Sequence, residues 1–231
     1  MPGNTMQIAV VLPIKQLNRV KGRLAGVLNE VLRQQLFTAM VRDVLMVVSS
    51  TSGINRVIVV TDDPAVAALV APWQVEVTPE PATPGLIESV TAAGEMLAKA
   101  SVDAMVFLPG DTPLLTVEEL EAVIASINMP NPENKPRLTI VPASDLGGSN
   151  CVACCPPDAM RFGFGEDSFR RHLAYAKDLG VEVTVLKQPG MGLDVDTPDD
   201  LKELMARLQK DETAGRHTRT FLREAGISEQ F

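Results

Sequence analysis

Two short acidic stretches carry residue types that could do chemistry. Leu108-Pro109-Gly110-Asp111-Thr112-Pro113-Leu114 follows an apolar run, and Leu193-Asp194-Val195-Asp196-Thr197-Pro198 directly precedes a helix signal. Asp194 and Asp196 are two residues apart, so in an extended segment their side chains point to the same side. If Asp111 joins them, three carboxylates form a site for a hard cation that can neutralise the phosphates of a nucleotide. Carboxylates suit magnesium better than zinc or copper, and manganese fits almost as well. Each stretch also has a plainer reading: Asp111 stabilises a turn, Asp196 neighbours a helix cap, and Asp194 is a surface charge. Those readings weaken together once both segments fall at the same edge of one sheet.

A nucleoside triphosphate also needs cations from the protein. The segment from Lys15 to Val27 holds Lys15, Arg19, Lys21 and Arg23, two glycines and no acid, in a chain whose formal charge is -8. Lys15, Lys21 and Arg23 can therefore meet phosphates, although a solvated basic face is the ordinary alternative. The segment is not a P-loop, because Gly22-Arg23-Leu24-Ala25-Gly26 lacks the required spacing. An anionic acceptor suits Gly147-Gly148-Ser149-Asn150 together with Phe164-Gly165-Glu166-Asp167-Ser168. Glycines there expose backbone N–H groups, Ser149 and Ser168 offer hydroxyls, and a helix begins near Glu166. A loop and a helix cap would explain the same residues. His172 is expected at the helix surface or closing this pocket rather than acting as a base, and His217 belongs to the C-terminal tail. No Ser-His-Asp or Cys-His set is arranged for covalent catalysis. Direct attack of an acceptor oxygen on the α-phosphorus, with pyrophosphate leaving in line, needs no protein nucleophile.

The elements that must position these groups are legible in the pattern. Ile8 to Ile14 reads as a central strand, Asn29 caps a long helix to about Ser50, and Arg56 to Val60 is a second strand. Asp63-Pro64 opens a short helix to residue 70. A strand is expected over 73–77, a loop from Glu80 to Gly85, a helix from Leu86, and a buried strand from Ala104 to Leu108. Thr116 and Glu119 form a capping box for a helix through Ile127. A surface connection over 128–137 leads to strands at about 138–142 and 150–155. Glu166 to Leu179 is helical, Glu182 to Leu186 is a strand, and Thr197-Pro198-Asp199-Asp200 starts another helix. Residues 1–210 then make one domain, and 211–231, with weak periodicity, a loosely attached tail. Alternating strands and helices imply an α/β fold with a mostly parallel sheet covered on both faces, with ligands beyond the carboxyl ends of its strands.

Composition narrows the class. The chain has 231 residues, 45% of them apolar, enough for one large core in a soluble enzyme. No long uninterrupted apolar run or export signal appears, which gives a cytoplasmic expectation without a membrane partner. The acidic balance argues against nucleic acid, as do a single tyrosine and a single tryptophan. Cys151, Cys154 and Cys155 lie in an apolar stretch with poor zinc-ligand spacing, so buried or half-buried thiols are expected. Oligomeric state is not fixed by these features.

Taken together, Leu12-Pro13-Ile14-Lys15, Arg19-Val20-Lys21-Gly22-Arg23-Leu24, Pro109-Gly110-Asp111-Thr112-Pro113-Leu114, Gly148-Ser149-Asn150, Phe162-Gly163-Phe164-Gly165-Glu166-Asp167-Ser168-Phe169 with Arg171-His172, and Leu193-Asp194-Val195-Asp196-Thr197-Pro198 resemble the 2-phospho-L-lactate or phosphoenolpyruvate guanylyltransferase family of coenzyme F420 biosynthesis. The resemblance covers about residues 6 to 208. It implies a three-layer nucleotidyltransferase fold like that of nucleotide-diphospho-sugar transferases. It also implies metal ions on Asp111, Asp194 and Asp196, and GTP, the donor substrate, facing Lys15, Lys21, Arg23 and the Gly85 loop. Lys21 joins the three aspartates as an expected catalytic group. Ser149, Gly165 and Ser168 would hold the phosphate and carboxylate of a three-carbon acceptor: 2-phospho-L-lactate, phosphoenolpyruvate or 3-phospho-D-glycerate. The downstream F420 transferase, which takes the product, is an implied partner. Where the family usually has Gly-Thr-Asn, this chain has Gly148-Ser149-Asn150, keeping the hydroxyl and losing a methyl. Gly85-Leu86-Ile87 replaces Gly-Leu-Asn, which removes an amide near the nucleotide and weakens the expected guanine preference. A sugar-phosphate or molybdenum-cofactor nucleotidyltransferase, and a non-enzymatic nucleotide-binding regulator, are the competing expectations.

Overall fold

The first apolar run forms strand β1 (Ile8–Pro13), and its alternate residues serve two cores. Ile8, Val10 and Leu12 face one helical layer while Ala9 and Val11 face the other, the burial expected of a sheet covered on both sides. The computed structural model describes residues 6–17, 21–131 and 133–227. Arg19, one of the expected cations, lies outside them.

After β1 come a short 3-10 helix (Gly22–Gly26), α1 (Glu30–Ser50), β2 (Arg56–Val60), α2 (Pro64–Val70), β3 (Glu76–Thr78), α3 (Leu86–Lys99), β4 (Ala104–Phe107) and α4 (Val117–Ile127). The second half adds β5 (Arg137–Pro142), β6 (Ser149–Cys155), α5 (Ser168–Leu179), β7 (Glu182–Val185), α6 (Pro198–Lys210) and α7 (Arg216–Glu224). Among the described residues, seven strands form one sheet in the order β3-β2-β1-β4-β6-β5-β7. β1, β2, β3 and β4 pair in parallel, as do β5 and β7, while β6 runs antiparallel to both β4 and β5. This reversal matters for the site. Phe107 pairs with Val152, so continuing the register sets Asn150 level with Pro109. The start of β6 therefore reaches the edge where its neighbours end.

Local signals set most boundaries. The Asn29 side chain accepts from the Leu32 N–H, Asp63 accepts from the Ala65 N–H beside Pro64, and Thr197 with Asp200 forms a complete capping box. Two element starts differ from expectation, and one capping residue does more than expected. Glu119 N–H donates to Thr116 Oγ1 as expected, and the Glu119 carboxylate, which also faces the Thr116 N–H, serves the loop before Asp194 as well. α5 starts at Ser168 and not at Glu166, since Gly165 and Asp167 adopt positive φ of 103° and 54°. β3 likewise begins at Glu76, because Trp73 and Val75 are taken up in a turn. Cys151 and Cys154 are buried and Cys155 half-buried, all as free thiols, as composition suggested. No helix among the described residues is long and apolar enough to cross a membrane.

The largest correction is the tail. Residues 216–224 form α7, which packs on α1, and Leu222 and Ile227 enter the core at 2% and 0% exposure. Burying such side chains contributes about 1.5–3 kcal/mol each. The helix starts at Gly215 with no local side-chain cap. Asp43, buried in α1, supplies one instead: its carboxylate accepts the N–H of His217 at 2.7 Å and of Thr218 at 2.9 Å. Arg219 further ties the preceding turn down by donating to the carbonyls of Leu208, Asp211 and Ala214.

Burial holds the Asp43 carboxyl above its ordinary value of 3.8, although the hydrogen bonds from α7 pull it down. The folded value exceeds the unfolded one, so the proton-linked stability from Asp43 is fully present below the unfolded value and is lost as pH rises through the folded one. Asp43→Ala leaves two buried donors without an acceptor and is expected to lower stability by about 1–3 kcal/mol. The deficit should be larger near the acid end of this window than at neutral pH. Urea unfolding at both conditions checks it; no deficit at either would rule out the cap, and equal deficits would rule out the linkage.

Candidate active site

Both acidic stretches reach the same edge through backbone contacts. After β4, Leu108 N–H donates to the Val11 carbonyl, and Gly110 passes so close to α1 that a Cβ there would lie 3.0 Å from Val41 Cγ2. Asp111 follows at the carboxyl end of the sheet. On the returning loop, the Glu119 carboxylate accepts the N–H of Gly190 at 2.7 Å and of Met191 at 2.8 Å. Gly190 lies where a Cβ would stand 2.0 Å from the Leu114 carbonyl oxygen, so a side chain would push this loop away. The Val195 N–H then donates to the Asp111 carbonyl at 3.1 Å, which joins the two stretches directly. Asp194 accepts from Asn150 Nδ2 at 3.0 Å, and the Asn150 amide also donates to the Met191 carbonyl.

Lys21 completes this arrangement. It sits in the left-handed region at φ 55° and is only 8% exposed. Its Nζ donates to Asp111 Oδ2 at 2.5 Å and to Asp196 Oδ1 at 2.6 Å. Burial disfavours its charge, but Asp111 and then Asp196 outweigh that, and the ammonium is held above its ordinary range. The expectation that Lys21 faces an open nucleotide site is thus revised: it faces two carboxylates. Arg23 does line the cleft. Lys15 is exposed at the end of β1 and outside the cleft lining, and its carbonyl accepts from Thr61 Oγ1. Gly85 is the residue before α3, where Leu86 and not Gly85 borders the cleft.

Among the described residues, no three His, Cys, Asp or Glu side chains close on a common metal position. The Lys21 ammonium lies between Asp111 and Asp196. Two features nevertheless fit a hard cation. Asp111 Oδ1 is buried without a hydrogen-bond partner. The Asp194 carboxyl is raised above its ordinary value by burial first and by the Asp111 charge next. Oxygen donors short of positive charge are the donor set that magnesium takes.

The opposite wall is built from β6 and the start of α5. Ser149 Oγ lies 3.0 Å from His172 Nδ1, Ser168 Oγ donates to Ser149 Oγ at 3.3 Å, and the Gly163 N–H donates to His172 Nε2 at 2.9 Å. Arg171 donates to the carbonyls of Gly163, Phe164 and Glu166. In a trans peptide the next N–H points away from the carbonyl, so those of Phe164, Gly165 and Asp167 turn from Arg171. Gly165 and Asp167 border the cleft, and Asp167 gives α5 no side-chain cap. The result favours anions. His172 is neither at the helix surface nor closing the pocket. It is fully buried, and desolvation followed by the neighbouring Arg171 charge lowers its pKa to about 4.

One cleft of about 840 Å³ holds Asp111, Asp194, Asp196, Arg23, Ser149 and Ser168 along its walls. Glu119, Asn150 and the Val195 amide were not singled out from sequence. Glu119 carried a signal for a helix cap, and Asn150 was quoted within a glycine-rich loop and the Gly148-Ser149-Asn150 motif without a role of its own.

Known proteins resemble the chain in sequence and in fold. A phosphoenolpyruvate guanylyltransferase from Conexibacter woesei is 34% identical over 220 residues, covering 95% of this chain and 96% of that protein. One from Chloroflexus aggregans is 32% identical over 203 residues, covering 86% and 97%. Among solved structures, a putative nucleotide-diphospho-sugar transferase from Desulfovibrio desulfuricans superposes with a TM-score of 0.77 at 19% identity, covering 96% of each chain, and shares the fold. The expected nucleotide-diphospho-sugar transferase-like architecture is therefore present. Residues 8–231 match the model of the family described as guanylyl transferase CofC like, and the chain belongs to that family of nucleotidyltransferases.

Proposed function

We propose that this guanylyltransferase joins GMP from GTP to the phosphate of a three-carbon acid and releases pyrophosphate, in the cytoplasm and within the biosynthesis of coenzyme F420. The observation that carries this reading is that Asp111 and Asp196, joined from behind by the Lys21 ammonium, line one cleft with Ser149 and Ser168. One wall concentrates the charges that handle a triphosphate, and the other presents donors suited to a small anion.

Asp111, Asp194 and Asp196 would hold magnesium, with manganese as a substitute. When bound, such a cation neutralises phosphate oxygens and stabilises charge that grows on the α-phosphate. Arg23 and Lys21 add positive charge on the donor side. Ser149, Ser168 and the Gly165 N–H bind and orient the acceptor. An oxygen of the acceptor phosphate attacks the α-phosphorus of GTP and forms a new P–O bond. The bond from that phosphorus to the bridging oxygen breaks, and its electron pair leaves with pyrophosphate. No protein nucleophile takes part, which agrees with a neutral, buried His172 and buried thiols.

Phosphoenolpyruvate is the acceptor that the named relatives favour. Ser149, with no methyl to crowd the pocket, keeps 2-phospho-L-lactate and 3-phospho-D-glycerate within the test. Purified protein given magnesium, GTP and each acceptor, with ATP and CTP as controls, should yield a guanylyl diester by mass. Turnover only with a sugar phosphate would overturn the reading. Asp196→Asn should keep the fold, since this side chain is 44% exposed. Its kcat should fall by about 100-fold or more, because the cation that would stabilise the growing phosphate charge loses a carboxylate ligand; unchanged turnover would remove it from the site. Ser168→Ala should raise the acceptor KM about tenfold and leave the GTP KM alone, because the Ser149 hydroxyl loses the Ser168 donor that helps turn its own hydrogen toward the charged acceptor. An equal rise in both KM values would count against the two-wall assignment.

A further inference from the structure

His172 makes contacts that a packing role alone does not require. We infer that His172 is a positioning residue whose Nδ1–H tautomer commits the Ser149 hydroxyl to donating into the acceptor pocket. This rests on the assignment of Ser149 and Ser168 to acceptor binding.

A neutral imidazole has one donor and one acceptor nitrogen. The Gly163 main chain offers an N–H to Nε2 at 2.9 Å, and an N–H can only donate. Nε2 must therefore accept, and the ring proton stands on Nδ1. Nδ1–H in turn donates to Ser149 Oγ at 3.0 Å. Ser168 Oγ donates to the same oxygen at 3.3 Å. Both lone pairs of the Ser149 hydroxyl are then engaged, and its own hydrogen is left to point to the cleft that Ser149 borders. A hydroxyl in solution donates or accepts as its partner demands; this one can only donate.

The surroundings keep the ring in that state. His172 is 0% exposed, with the Phe164 and Phe162 rings edge-on at 5.0 Å and 6.4 Å between centroids. Desolvation of the fully buried ring opposes a second proton, and so does the guanidinium of Arg171 on the same helix. A donor-only hydroxyl beside the outward N–H groups of Gly165 and Asp167 discriminates by charge and lone pairs. It donates to phosphate or carboxylate oxygens and leaves the NH2 of an amide, or an ammonium, without a partner, which is a strong basis for rejection in a desolvated site. The pocket is thus polarised toward an acceptor with both a phosphate and an ionised carboxylate, and the acid's amide should be a poor substrate.

The two contacts of the ring can be separated. His172→Gln keeps an acceptor that reaches Gly163 and loses the donor to Ser149; His172→Asn keeps a donor near the Nδ1 position and loses the acceptor. If His172 positions Ser149, the Gln variant should show an acceptor KM raised about tenfold, the cost of a lost charge-directed hydrogen bond, with GTP KM unchanged. The Asn variant should stay near wild type. The reverse order would show that only the Gly163 contact matters and would overturn the inference. A second measurement holds whether or not the variants fold: nitrogen NMR of histidine-labelled wild-type protein should find His172 protonated on Nδ1. Protonation on Nε2 overturns the inference directly. An Nδ1–H ring in a protein that transfers GMP to none of the acceptors would instead locate the failure in the proposed function.

Discussion

The Lys21 ammonium lies 2.5 Å from Asp111 and 2.6 Å from Asp196, on segments 90 and 175 residues away along the chain. Without positive charge among them, the carboxylates at this edge would repel one another and the loops that carry them would separate. Two unit charges 4 Å apart attract by about 4 kcal/mol at an effective dielectric of 20. That exceeds the roughly 1–2 kcal/mol of holding a non-glycine residue in left-handed geometry. Lys21 therefore acts as an internal cation that lets the acidic edge form before any ligand is present. The Val195–Asp111 main-chain bond and the Glu119 clamp then fix the spacing that the charges require.

The cleft divides its work by the polarity of its walls. Carboxylates from the ends of β4 and the loop after β7 meet cations on one side. On the other, Arg171 draws carbonyls away from the cleft while Ser149 and Gly165 offer hydrogen, and Ser168 gives its own to Ser149. This separation depends on β6 running against its neighbours, because only a strand that starts at the carboxyl edge can place Ser149 and Asn150 across from Asp111. Asn150 bridges the walls, donating to Asp194 from the strand that also carries Ser149.

Much of the fold was legible. Apolar runs gave the strands of the central sheet, and Asn29, Asp63 and Thr197 announced their helices because a cap and its acceptor N–H groups lie within three residues. The acidic stretches and the serines were legible as chemistry for the same reason: type and spacing sit side by side. α7 was not, because its cap is Asp43, distant in sequence, and its own start at Gly215 carries no capping side chain. The second role of Glu119 was hidden because a capping box and a loop clamp use the same residue, and only the path of residues 188–193 brings the clamp about.

By itself the sequence determined the alternation of strands and helices, the two-sided burial of β1 and the stock of carboxylates, cations and hydroxyls. These depend on contacts within a turn or a pleat, which residue order encodes directly. The tertiary structure decided which charge meets which. It turned Lys21 toward carboxylates, left Lys15 outside the cleft, and buried His172 between Gly163 and Ser149. Such partners lie far apart along the chain, and their meeting is set by sheet order, strand direction and desolvation, which exist only once the sheet has closed.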